Sequence, residues 1–75
     1  MKVYEKVVLV SKTYLGPATE SFIARQCKSH LKKDPAALLT SDLATLAKWM
    51  EISGSLLMEQ SKAAELSKQI ASITE

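Results

Sequence analysis

Apolar residues recur along this chain at intervals of three and four, the repeat of one face of an α-helix. In residues 2–15 the series Val3, Val7, Val10, Tyr14 and Tyr4, Val8, Ser11, Leu15 both keep that spacing. The valines favour a strand, but strict alternation fails across Val7-Val8-Leu9-Val10, and no second strand is in sight for a first one to pair with. The pattern therefore predicts a helix. Gly16 and Pro17 follow, a residue that tolerates the backbone ending one helix and a residue suited to the first position of the next. A second helix is predicted over 17–32, with Phe22, Ile23, Gln26, Cys27, His30 and Leu31 on its inner face. Ser21, Arg25, Lys28 and Lys32 follow the same spacing on its outer, basic face.

Pro35 disfavours helix at Asp34, so the second helix ends near Lys32-Lys33-Asp34. Asp34 to Leu39 then reads as a short capped turn that drops Leu38 or Leu39 into the core. Thr40 or Ser41 can cap a third helix over 41–58, with Asp42 in its first turn and Leu39 placed to staple onto it. Leu43, Leu46, Ala47, Met50, Gly54 and Leu57 form its stripe, widened by Trp49, Ile52 and Leu56, which makes it the central helix. Gly54 either admits a neighbouring helix closely or ends this one, and the apolar phase running on to Met58 favours close approach. A last helix over 61–74 turns Ala63, Leu66, Ile70 and Ile73 inward. Its break from the third is marked only by Glu59-Gln60-Ser61, and one long rod is the alternative. The expected fold is an all-α four-helix bundle, a single domain spanning 1–75.

Composition sharpens this picture. Hydrophobic residues make up 47% of the chain and aromatics 5%, so the interior is expected to be aliphatic, with Phe22 and Trp49 its largest pieces. A core of this size yields little net stability, which makes self-association a reasonable expectation. One cysteine cannot form an internal disulfide, and no segment has the apolar length of a membrane span, so a cytoplasmic protein without membrane contact is expected. The net charge of +2 is unevenly spread. Residues 1–33 carry seven basic and two acidic side chains, or +5, while residues 34–75 carry three basic and six acidic, or −3. That asymmetry suits an acidic partner or a second copy meeting the first.

Cys27 and His30 lie three apart, a spacing able to present two metal ligands or a nucleophile and base. The chain has no other cysteine or histidine to complete either site, so neither a metal, a cofactor nor catalysis is expected. The acids Asp42, Glu51, Glu59 and Glu65 have the spacing of solvated helix faces. The basic stripe, extended by Lys33, could meet nucleic acid phosphates, yet it contains the chain's sole arginine and no interleaved aromatic residue. The interval between the second and third helices also exceeds the tight turn of a helix-turn-helix. Nucleic acid binding through this face is therefore the alternative, and an acidic protein surface the preferred partner.

The run Tyr14-Leu15-Gly16-Pro17, followed by Phe22, Ile23 and Arg25, resembles a small helical domain near the carboxyl ends of bacterial signalling proteins such as serine/threonine kinases, cyclases and response regulators. Thr19 stands where that pattern has a small apolar residue. The resemblance implies no catalytic residues. It implies an adaptor that joins signalling proteins or pairs with itself as a homodimer, and the expected partner-binding residues are Ser21, Arg25, Lys28 and Lys32.

Overall fold

A helix cannot pass a residue held at positive φ, and Gly16 is such a residue, with φ of 57°. The computed structural model describes residues 2–74. In it the first helix, α1 (Val3–Leu15), ends at Gly16, whose amide returns to the Lys12 carbonyl. A tight turn over Gly16–Ala18, with Pro17 at its first position, leads directly into α2 (Thr19–Gln26). Thr19 Oγ1 donates to the Gly16 carbonyl at 2.6 Å, fixing the corner from the far side. The corner is thus built from Gly16, Pro17 and Thr19 together.

After Gln26 the backbone widens into an i→i+5 turn over Cys27–Leu31 and stops at Lys32, which adopts the left-handed conformation at φ 56°. Asp34 Oδ1 accepts from the Ala36 amide at 2.9 Å and caps the short turn Pro35–Ala37. Leu38 is the residue that enters the core, and Leu39 stays 54% exposed, so it staples nothing. A turn over Thr40–Asp42 precedes α3 (Leu43–Gly54), and α4 (Gln60–Ala71) follows five residues later. The cap expected from Thr40 or Ser41 is not formed: Asp42 takes the N-cap position of α3 without a side-chain cap bond, and its Oδ2 instead braces the preceding turn by accepting from the Leu39 amide at 2.9 Å.

All regular structure among the described residues is helical. The α-helices are not four of equal standing. Three have 12 or 13 residues, while regular α geometry in the second lasts for 8, bracketed by a tighter turn and a wider one. Each of the long ones lacks the length expected at one or both ends. α3 stops at Gly54 and not at Met58, and α4 at Ala71 and not at Thr74, because hydrogen-bonded turns take over there. Helices three and four are separate, which disposes of the single rod.

The elements pack in a ring, α1 on α2, α2 on α3, α3 most extensively on α4, and α4 back on α1. Val3, Val7, Phe22, Ile23, Cys27, Leu38, Leu43, Leu46, Ala47, Met50, Leu66 and Ile70 form the core. α3 contributes the largest share of buried residues, Leu43, Leu46, Ala47, Met50 and Gly54. Trp49 is not among them. It is half-buried at the rim, because an indole at that position faces the widened end of the α2 segment and not the interior. Tyr14 ties α1 to α4, its hydroxyl accepting from Gln69 Nε2 at 2.7 Å.

The two glycines make opposite demands. Gly16 needs its positive φ, so Gly16→Ala should destabilise the fold by about 1–3 kcal/mol in denaturant titration. At Gly54 an added Cβ would meet Ala63 Cβ at 3.7 Å and Met58 Cε at 3.8 Å, ordinary contact distances. Gly54→Ala should therefore stabilise by about 0.5–1 kcal/mol, through a less flexible unfolded chain.

Candidate interaction surface

Where α3 stops decides what the surface looks like. Gly54 is flanked by Ser53 and Ser55, and the chain turns within the next residues to reach α4. The turn is fully bonded: the Leu56 amide donates to Ser53, those of Leu57 and Met58 donate to Gly54, and Ser55 Oγ donates to the Ile52 carbonyl at 2.7 Å. It carries Leu56 and Leu57 outward, 85% and 66% exposed. Both belong to the stripe expected to face inward, as does Ile52, which is exposed as well. The early helix end breaks the phase that would have buried Leu56 and Leu57, whereas Ile52 is exposed within α3 itself.

The turn leans over α2. Between them lies a cleft of about 270 Å³, walled by Ala18, Ser21, Phe22, Arg25 and Gln26 on one side and by Ser53, Leu56 and Leu57 on the other. Ser53 Oγ donates to Gln26 Oε1 at 3.1 Å and holds the walls together. Arg25 is exposed and forms no ion pair among the described residues. The cleft thus combines apolar side chains with an uncompensated guanidinium.

Ser21, Arg25, Lys28 and Lys32 are all exposed, as the spacing predicts, but they do not form one continuous stripe. Ser21 and Arg25 line the apolar cleft, whereas Lys28 and Lys32 line a separate shallow depression with Lys33 and Asp34. The wider turn at Cys27–Leu31 separates the pairs, since the residues of an i→i+5 turn advance around the axis by less than those of an α-helix. Lys33 drops out of the stripe. Its Nζ donates to Asp42 Oδ2 at 2.7 Å, with both side chains largely shielded. That hydrogen bond, reinforced by the Leu39 amide and opposed by partial burial, holds the Asp42 carboxyl below its ordinary value of 3.8.

The same widening separates Cys27 from His30. The thiol is buried in the core, and its pKa is raised, first by burial and then by the nearby Asp42 carboxylate. His30 is exposed and lies flat on Trp49, the ring centroids 3.8 Å apart and the planes within 2°. Lys48 Nζ stands 5.6 Å from the same indole. Cys27 and His30 do not converge on a common point, and no group of three or more metal-ligating side chains occurs among the described residues. No helix is long and apolar enough to cross a membrane.

Leu56 and Leu57 are the surface residues the periodicity misplaces. The Ser53-Gly54-Ser55 run was the available signal, because a glycine between two serines marks an end as readily as a close approach. No family model, curated protein or solved structure matches the chain.

Two consequences are measurable. Asp42 has a lowered pKa in the folded state, so its stabilising contribution is present in full above its ordinary value and is lost as pH falls through the folded-state value. Asp42→Asn should cost about 1–2 kcal/mol at neutral pH and flatten that part of the acid unfolding profile. Cys27, buried and with a raised pKa, should resist a thiol reagent in the native chain and react at the rate of opening as denaturant is added.

Proposed function

We propose that this chain is a non-enzymatic protein–protein interaction module, with a contact surface formed by the outer face of α2 and the Leu56–Leu57 turn. The observation that carries the reading is the pair of leucines held 85% and 66% exposed on a bonded turn, beside an unpaired Arg25. Burying such side chains against a partner is favourable, and a nearby cation selects an acidic one. An amphipathic helix with leucines on one face and glutamates along its edge has the matching chemistry. Lys28 and Lys32 lie farther along and steer the approach. The bundle, with its shortened second helix, is the rigid platform for this surface.

The resemblance of Tyr14-Leu15-Gly16-Pro17 and the residues after it implies a role in bacterial signalling or regulation, and the proposal takes the module as a cytoplasmic adaptor. The free thiol of Cys27 accords with that compartment. Nucleic acid is the weaker reading. The depression of Lys28 and Lys32 contains the acid Asp34 and no aromatic side chain on which a base could stack.

The test is capture from nuclease-treated extract by the wild-type chain, by Arg25→Glu/Lys28→Glu, by Leu56→Ser/Leu57→Ser, and by Lys68→Glu as a control on α4. A protein held by the wild type and the control, and bound about tenfold more weakly by each double variant, supports the surface. Equal retention by all four chains removes it. Binding of labelled duplex DNA or RNA that falls steeply with salt would transfer the function to the alternative.

A further inference from the structure

Besides Leu56 and Leu57, the chain exposes a second apolar site on another face. Tyr4, Val8 and Leu9 of α1 line a groove of about 310 Å³, closed at its edges by Glu5 and Glu20. Leu9 is 57% exposed there. Neither glutamate forms an ion pair among the described residues, although Glu5 Oε1 accepts from the Lys2 amide at 2.9 Å. Lys12, one turn beyond Val8, does not line the groove. One face is thus a pair of protruding leucines beside a cation, and the other is an apolar groove between two anions.

We infer that the acidic partner of the α2 surface is a second copy of this chain, docked head to tail. Leu56 and Leu57 of one copy enter the Tyr4–Val8–Leu9 groove of the next, with Arg25 meeting Glu20. The inference rests on the reading of the Leu56–Leu57 turn as a contact surface and adds the identity of what covers it. Two observations favour this occupant. A single contact buries both exposed apolar patches, and it opposes charges of unlike sign, each of them unpaired within its own chain. The symmetric alternative, with the leucine turn packed on its own copy, brings Arg25 near its counterpart and leaves Leu9 bare. A head-to-tail contact uses a different surface on each partner, so every open assembly keeps one free turn at one end and one free groove at the other, and it grows into a ring or a filament.

Sedimentation equilibrium of the full chain over a wide concentration range at low salt tests this. The mean mass of the wild type should climb past twice the monomer mass, and added salt should lower it. Arg25→Glu and Glu20→Lys should each remain monomeric over the same range, with unchanged circular dichroism. Mixed in equal amounts they should associate again, because the acidic leucine turn of the first fits the basic groove of the second and their other two surfaces are native. Leu57→Ser should be monomeric alone and with Arg25→Glu, and should stop at a 1:1 dimer with Glu20→Lys, whose native leucine turn meets its native groove. The inference is overturned if the wild type stays monomeric at every concentration, if Glu20→Lys associates as the wild type does, or if the two charge variants fail to restore each other. A monomeric wild type that still captures a protein through Arg25 and the leucine turn would overturn this inference and leave the preceding function intact.

Discussion

The contact of α3 with α4 at Gly54 and Ala63 is the constraint from which much of the molecule follows. Ala63 is fully buried against Gly54, at a separation that would give even an added Cβ an ordinary contact of 3.7 Å. A short connection holds the two helices side by side, so α3 must end where the chain reverses. The reversal occupies Ser55–Glu59, with the Ser55 amide donating to the Glu51 carbonyl and those of Leu56, Leu57 and Met58 to the carbonyls of Ser53 and Gly54. A turn so short has only one wall facing the core. Met58 packs toward it, and Leu56 and Leu57 are left facing solvent.

The ring of helices depends on the corner at Gly16 in a similar way. With α1 and α2 joined by three residues, the buried faces of both are set almost at once, Val3, Val7 and Ser11 on one and Thr19, Phe22, Ile23 and Gln26 on the other. Ser11 is an oddity within this arrangement. Its hydroxyl is buried without a hydrogen-bond partner.

Much of the fold was legible from spacing alone. The Val3/Val7 and Ala63/Leu66/Ile70 series, the Gly16-Pro17 junction and the stop before Pro35 all rest on local rules, a helical period, a positive φ and a steric clash, that need no tertiary information. The leading candidates at the surface were legible in part, since a basic residue on the outer side of an amphipathic helix has nowhere to go but solvent. What was not legible depended on one-residue changes of phase. The wider turn at Cys27–Leu31 sends His30 out onto Trp49 and separates Arg25 from Lys28, although the sequence there reads as ordinary helix. The premature end of α3 likewise inverts the placement of Leu56 and Leu57. Periodicity assumes a constant phase and cannot register either event. Lys33 was lost from the basic face for a different reason, a partner nine residues away on an element whose position only the fold determines.

Some of the places where local rules fail meet in space, at the cleft shared by α2 and the turn after α3. The chain puts two adjacent leucines in a solvent-facing turn, leaves its sole arginine beside them unpaired, and a few residues on holds a lysine at positive φ where glycine would be less strained. α4, by contrast, buries its apolar positions Ala63, Leu66 and Ile70 and alternates its charges outside. Folding alone gives no reason to hold two adjacent leucines in solvent on a bonded turn beside a cation without an ion pair. Departures from self-consistency of this kind are expected where a surface is kept for contact and its cost to the isolated chain is accepted. The exposed groove of Tyr4, Val8 and Leu9 is the one comparable departure on α1, and its acidic edge complements the first. That two such regions with opposite rims belong to one small chain is what makes each a credible cover for the other.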